Sequence, residues 1–281
     1  MPPMKRIANK IHNELSGLYP TGELATLTRI IATELLGVSQ MTFYLKDDIT
    51  LTAEQQTLLH NAIERLKKQE PIQYILGYSD FCGLRFKVTP ATLIPRPETS
   101  ELVQWVASEA TGRKRILDIG TGSGCIAISL AHKLPQSTLS AWDISADALT
   151  VAAENSRTHG TNITFAQRDI LSHQPTHEQF DIIVSNPPYI KEHEKEQMEA
   201  NVLNWEPHTA LFVPNSDPLL FYRTIAQKGL TLLPPGGLLF FEINRAMGKE
   251  TIEMLAALGY TGIELRKDIF GNDRMIRATK Q

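Results

Sequence analysis

From Arg115 onward the chain repeats one pattern, an apolar run of strand length, a turn and a helical stretch, and that pattern leaves few architectures open. Residues 116–119 (Ile-Leu-Asp-Ile) lead into a helical run at 125–132, and 138–143 lead into 146–155. Strand-like runs at 163–166 and 180–185 follow, then a helix at about 218–232, a strand at 237–243, and two β-like runs at 263–266 and 274–278. Strands alternating with helices predict an α/β fold whose mostly parallel sheet is covered on both faces. The first part of the chain follows another period. Ile7, Ile11 and Leu15, then Leu24, Leu27, Ile30, Ile31 and Leu35, then Leu58, Leu59, Ile63 and Leu66 recur three and four apart, the spacing of a small helical bundle. Thr52 stands as N-cap for its last helix, with Glu54 and Gln55 in the first turn. At Glu70-Pro71 the helical pattern ends, and residues 80–88 alternate around Gly83 like a β-hairpin. With 281 residues, two domains are expected: a bundle at 1–71, a hairpin linker at 72–95, and an α/β domain at 96–281.

Charge and cysteine usage exclude several functions. The net charge is −3, and residues 1–71 hold eight Lys plus Arg against eight Asp plus Glu. Stable nucleic-acid binding is therefore not expected, since it normally shows as a basic patch or domain. Cys82 and Cys125 are too few for a disulfide framework and form no Cys/His cluster, so no metal is expected. A reducing, cytoplasmic setting fits. The charges around Lys10 interrupt any signal-peptide core, and no apolar run approaches the length of a membrane span.

The chemistry gathers at the ends of the predicted strands. Phe180-Asp181-Ile182-Ile183-Val184-Ser185 runs directly into Asn186-Pro187-Pro188-Tyr189. Neither proline has an N–H to give, both fix φ near −65°, and Pro187 forces Asn186 out of helical conformation. The result is a stiff corner rich in acceptors. The Asn186 side-chain oxygen and the Pro187 carbonyl can accept from one –NH₂ group while the Tyr189 ring covers the plane that carries it. Asn-Pro is also a common turn initiator. The tetrapeptide alone does not separate the two readings.

Asp118-Ile119-Gly120-Thr121-Gly122-Ser123-Gly124 lies between the first strand of the sheet and its helix, where glycines let a ligand approach the backbone. It is G-x-G-x-G preceded by an acid, and Cys125 stands where the dinucleotide fingerprint needs its third glycine. An acid there suits a cationic ligand group, such as the α-ammonium of S-adenosylmethionine. Asp143, closing the second strand, is placed to accept both ribose hydroxyls. Asp169, after the third strand and followed by Ile170, is placed to accept the adenine amino group. Each acid taken singly also reads as a strand-end cap. Cys125 reads as a small packing residue rather than a reactive thiol.

The glycine loop, Asp143 and residues 186–189 together resemble a class I (Rossmann-like) S-adenosylmethionine-dependent methyltransferase acting on planar nitrogens. The Pro71 to Gly77 stretch (Pro-Ile-Gln-Tyr-Ile-Leu-Gly), Ile94-Pro95-Arg96-Pro97-Glu98-Thr99, Ser185 to Tyr189, Glu206-Pro207 with Ala210-Leu211, and Asp268 to Arg274 are similar, more closely, to the HemK/PrmC family. Its members methylate the side-chain amide (N5) of the Gly-Gly-Gln glutamine in class I peptide chain release factors. The resemblance spans about residues 70–278; the bundle matches in kind but not by motif. It implies S-adenosylmethionine as cofactor, held by Asp118, Gly120, Thr121, Gly122, Ser123, Gly124, Asp143, Asp169, Ile170 and Asn186. It further implies Asn186, Pro187, Pro188 and Tyr189 as the catalytic corner, Phe81 and Tyr189 as walls of the glutamine pocket, and release factors as partner. The neutral bundle reads as a substrate-recognising domain or, more blandly, as a stabilising one, and a monomer is expected. Some family members carry tryptophan where this chain has Ile170. Two rival readings differ in kind: an adenine-N6 nucleic-acid methyltransferase, and a non-catalytic binder that keeps the cofactor fold.

Overall fold

The computed structural model describes residues 3–45, 50–172 and 178–281. The chain forms two compact units, one comprising residues up to Gly77 together with Glu199–Trp205, the other Tyr78–Met198 with Glu206–Gln281.

The first unit holds α1 (Pro3–Leu15), α2 (Thr21–Ile30) continuing as a π-helical turn at Ile31–Leu35, α3 (Gln40–Leu45), α4 (Ala53–Lys67) and α5 (Ile72–Leu76). Ile7, Ile11, Leu15, Leu24, Leu27, Ile31, Leu59, Ile63 and Leu66 form its core, as the three-and-four spacing predicts. Leu58 instead faces solvent. Thr52 caps α4 through a full capping box: its hydroxyl accepts from Gln55 N, and the Gln55 side chain accepts from Thr52 N, which satisfies two donors that a helix start leaves unpaired. The helical pattern does not stop at Pro71. One more turn, α5, forms after it and packs Ile72 and Ile75 on the bundle core. Gly77 ends that turn at φ +81°, a left-handed conformation open to glycine at little cost. The boundary of this unit thus falls after Gly77 rather than after Pro71.

The second unit opens with the hairpin β1 (Tyr78–Phe81) and β2 (Leu84–Lys87) and continues with α6 (Thr99–Glu109), β3 (Arg115–Ile119), α7 (Cys125–Lys133), β4 (Thr138–Asp143), α8 (Ala146–Thr158), β5 (Ile163–Gln167) and β6 (Ile182–Ser185). A two-residue parallel pair joins β7 (Ile190–Lys191) to β8 (Phe212–Val213). Between them, α9 (Ala200–Trp205) belongs to the first unit. There the Trp205 indole donates to Lys68 O at 3.0 Å. The chain ends with α10 (Leu220–Leu232), β9 (Leu238–Glu242), α11 (Gly248–Ala257), β10 (Tyr260–Lys267) and β11 (Asp273–Lys280).

Seven strands make one sheet in the order β10-β11-β9-β6-β3-β4-β5. The pairs among β9, β6, β3, β4 and β5 are parallel, and β11 is antiparallel to both its neighbours. Side chains alternate between two cores. Ile116, Ile182 and Phe240 join the cluster under α6, α7 and the hairpin, while Leu117, Ile183 and Phe241 join the one under α10 and α11. That is the period-two consequence of a pleated strand buried on both faces.

Candidate functional site

Strand order reverses between β3 and β6, which places a crevice at their carboxyl ends. The two ends are tied together: the Ser185 hydroxyl donates to Ile119 O at 2.7 Å. A cavity of ≈ 360 Å³ opens there, lined among others by Gly120, Gly122, Asp143, Asp169, Ile170, Asn186, Pro187 and Pro188. Eight of the residues singled out in the sequence thus meet at one place. They come from four strand ends, and topology alone makes them neighbours.

Asp143 is braced before any ligand arrives. Its Oδ2 accepts from Gly122 N at 2.8 Å and its Oδ1 from Ser145 N at 2.9 Å, so each oxygen keeps a lone pair for a further donor. Burial raises the Asp143 carboxyl above its ordinary value, opposed by those two backbone amides. Gly120 and Gly122 have φ of +75° and +55°, and a Cβ at either would meet nothing within 4 Å. Their role is conformation and open approach. Gly124 differs: a Cβ there would lie 3.0 Å from Ile128 Cδ1 and 3.2 Å from Ala152 Cβ, so it lets α7 and α8 pack closely.

Other predicted residues stand behind the cavity wall. Asp118 is fully buried and is not among the lining residues. It accepts from the Thr121 hydroxyl at 2.7 Å, while its Oδ1 is buried with no hydrogen-bond partner among the described residues. Burial pushes its carboxyl up to about 7; Thr121 opposes and the nearby Asp143 charge adds. Thr121 and Ser123 are likewise buried beneath the loop. Cys125 packs in the core with its thiol pushed up to about 12 by burial, a structural rather than reactive cysteine. Phe81 is the clearest departure from expectation. Only 5% exposed, it meets Phe86 edge-on at 6.1 Å and packs on α6 and α7, because strand alternation turns it to the inner face of the hairpin. It is not a wall of this cavity. Tyr189 lines a second, neighbouring cavity with Asn244 and Arg274.

The Asn186 corner rests on residues the sequence did not single out for it. Asn186 Nδ2 donates to the Thr99 hydroxyl at 3.4 Å. The Thr99 hydroxyl donates to Glu242 Oε2 at 2.6 Å, and the Tyr189 hydroxyl to Glu242 Oε1 at 3.3 Å. Burial raises the Glu242 carboxyl, with Thr99, Arg274 and Tyr189 opposing. Arg274 is held in turn by Asp268 at 3.1 Å, whose carboxylate also gathers the Phe270 and Asn272 amides. Elsewhere Glu206 accepts from Ile94 N and from the Arg96 guanidinium at 2.6 Å, pinning the Pro95-Arg96-Pro97 segment from a nearly buried position. Lys228 donates to Ile170 O. Among the described residues no group of three or more His, Cys, Asp and Glu is arranged to hold a metal.

These residues fit S-adenosylmethionine. Ile144, Ile170, Leu171 and Pro187 supply apolar walls for a flat base, Asp143 has spare acceptors for a diol, and the glycine loop allows close backbone approach. Sheet order and the position of the crevice are those of a Rossmann-like, S-adenosylmethionine-dependent methyltransferase. Residues 98–206 match the methyltransferase small domain and residues 12–77 the PrmC N-terminal domain. The chain is 50% identical over 278 residues to the release factor glutamine methyltransferase of Bacteroides thetaiotaomicron, spanning 99% of this chain and 100% of that protein. It is 43% identical over 279 residues to that of Flavobacterium psychrophilum, spanning 98% of each. The crystal structure of a methyltransferase from Pyrococcus furiosus shares the fold, with a TM-score of 0.51 at 15% identity over 82% of this chain and 99% of that one. The chain belongs to the release factor glutamine methyltransferase family.

Proposed function

We propose that this enzyme methylates the side-chain amide nitrogen (N5) of the glutamine in the Gly-Gly-Gln motif of class I peptide chain release factors. Kinship across the whole chain supports it, and the carrying observation is the Asn186-Pro187 corner at the mouth of the cavity. Bound S-adenosylmethionine supplies an electrophilic methyl group on a sulfonium. The chain's own task is positioning, because an amide nitrogen is a poor nucleophile whose lone pair is shared with its carbonyl. Asn186 Oδ1 and Pro187 O accept the two amide hydrogens and turn the nitrogen toward the methyl group. Methyl transfer to that nitrogen would build positive charge on it, and Asn186 Oδ1 and Pro187 O would hold the charged amide more tightly than the neutral one. One N–H proton is then lost to water.

The first unit is assigned to recognising the release factor outside the reacting glutamine. Met41, Tyr44 and Leu45 on α3 are all strongly exposed, an apolar face suited to a protein partner. The reading places the enzyme in the cytoplasm with its translation substrate, acting as a single chain without stable nucleic-acid binding. Among the described residues no helix is long and apolar enough to cross a membrane. Incubation with methyl-labelled S-adenosylmethionine and, separately, a release factor, a Gly-Gly-Gln peptide and duplex DNA tests the assignment. Label on the glutamine is the expected result. Label on adenine alone would replace the protein substrate by nucleic acid, and no transfer to any of the three would remove the activity.

A further inference from the structure

Asn186 can serve the reaction in only one of its two amide orientations. With Oδ1 toward the substrate it accepts from the glutamine –NH₂; flipped, it opposes one –NH₂ with another. The Asn186 backbone does not choose between them. What distinguishes them is the polarity of the buried chain behind the residue. An ionised carboxylate only accepts hydrogen bonds, so Glu242 takes the Thr99 hydroxyl hydrogen at 2.6 Å. Thr99 Oγ1 then has only lone pairs left for Asn186, and the Asn186 –NH₂ must face it, as it does at 3.4 Å. Oδ1 is left for the other side, and it makes no hydrogen bond within the described chain.

We propose that Thr99 and Glu242 are positioning residues that set the amide orientation of Asn186 and so aim its oxygen at the methyl acceptor. Thr99 is 2% and Glu242 1% exposed; neither lines the cavity, and Thr99 reaches Asn186 directly while Glu242 reaches it through Thr99. Their separation in sequence from Asn186 and from each other is bridged by the sheet. Glu242 closes β9, next to β6, and Thr99 begins α6 on the face above. The inference rests on the glutamine reading above.

Protonation of Glu242 inverts the chain. A neutral carboxyl can donate to Thr99, whose hydroxyl is then free to donate to Asn186 Oδ1 and stabilise the flipped amide. The groups facing Glu242 are Thr99 and Glu98 at the start of α6, Arg274 on β11, and Tyr189 of the corner. Arg274 favours the ionised form, while burial and Glu98 disfavour it. Catalysis in the wild type therefore carries an acid limb, with turnover falling as Glu242 gains its proton.

The test uses the full chain with Thr99→Val, which keeps the shape and removes the hydroxyl, and Thr99→Ser, which restores it. For Thr99→Val the expected result is a kcat for release factor lowered about 10- to 100-fold, S-adenosylhomocysteine Kd within about twofold of wild type, and loss of the acid limb. Thr99→Ser should recover kcat to within about threefold. A second readout needs no turnover: the Asn186 side-chain –NH₂, observed by NMR in ¹⁵N-labelled protein, should show protection from hydrogen exchange in wild type and Thr99→Ser and lose it in Thr99→Val. A Thr99→Val enzyme with wild-type kcat, or one whose cofactor affinity falls as far as its kcat, overturns the proposal. So does an –NH₂ signal that is alike in all three proteins. If the wild type labels no release factor, the glutamine reading fails, and the –NH₂ signal still decides whether Thr99 orients Asn186.

Discussion

Asn155, near the end of α8, pairs with the main chain of Lys87 as a neighbouring strand would. Its Oδ1 accepts from Lys87 N at 2.8 Å and its Nδ2 donates to Lys87 O at 3.0 Å. The second Nδ2 hydrogen goes to Ser123 O at 2.9 Å. One buried side chain thus joins the hairpin to the glycine loop, and the loop's outer end is held from behind by the same residue that anchors β2. Asn155→Ala strands two carbonyls and one amide. With about 1 to 3 kcal/mol for each buried polar group left unpaired, the three together should cost at least about 3 kcal/mol of stability. Urea unfolding followed by circular dichroism measures it, and a change below about 0.5 kcal/mol would show that water replaces the amide freely.

Buried carboxylates give this protein a predictable pH dependence. The folded-state pKa of Asp118 is raised from 3.8 to about 7, so the folded protein holds its proton more tightly than the unfolded chain. Its contribution to stability is complete below 3.8 and is lost as pH rises to about 7. Asp143 and Glu242 shift in the same direction and add to the slope. Asp118→Asn keeps an acceptor for Thr121 and cannot ionise. It should be more stable than wild type at pH 8, with a flatter stability profile between pH 4 and 7. Thermal unfolding across that range checks this; parallel profiles for the two proteins would mean that Asp118 holds its proton no more tightly in the fold than in the unfolded chain.

Asp143 offers a test of the cofactor assignment. If Asp143 accepts from two ribose hydroxyls as proposed, its removal should weaken S-adenosylhomocysteine binding by about 1.5 to 3 kcal/mol. Part of the loss in Asp143→Ala comes from freeing Gly122 N, which this carboxylate holds at 2.8 Å. Calorimetry on the variant gives the number. Unchanged affinity would remove the ribose assignment.

The sheet was legible because its signal is periodic and repeated. Ile116 and Leu117, or Phe240 and Phe241, announce a strand buried on both faces, and once the strands are in order the loop ends converge without further information. The six-residue helices α3 and α9 span less than two turns, and the β7-β8 pair only two residues, too little to show a period. The cavity residues were found for the same topological reason: Gly120, Asp143, Asp169 and Asn186 each end or follow a strand. Their supports were not. Thr99 lies 87 residues from Asn186 and 143 from Glu242, and no local pattern tells a buried hydroxyl that holds an amide from one that merely starts a helix. Glu206 stood inside a recognised motif, yet its grip on Ile94 and Arg96, more than a hundred residues away, exists only in three dimensions. Phe81 failed in the opposite way. Resemblance offered it as a pocket wall, whereas the alternation of β1 turns it into the core.

Asn186 is where the functional and structural roles diverge most, and substitution separates them. If the side chain served only the turn, Asn186→Asp would be mild, since Asp fills turn positions nearly as well. The hydrogen-bond chain predicts otherwise. Asp keeps an oxygen for the substrate –NH₂ but sets a second carboxylate oxygen against Thr99 Oγ1, whose hydrogen already belongs to Glu242. Acceptor then meets acceptor, and either Thr99 turns away from Glu242 or one acid takes a proton. Asn186→Asp should therefore lose turnover despite keeping the substrate contact. Asn186→Ala loses both contacts, at a cost in kcat/KM of roughly 2 to 4 kcal/mol, the scale for one preorganised polar group at a reacting centre. Cofactor affinity should fall less than turnover in both. Single-turnover methylation of release factor, run beside S-adenosylhomocysteine Kd, decides the matter. Near-wild-type turnover in Asn186→Ala would refute the amide-holding role, and equal losses of binding and turnover would move Asn186 from the substrate to the cofactor.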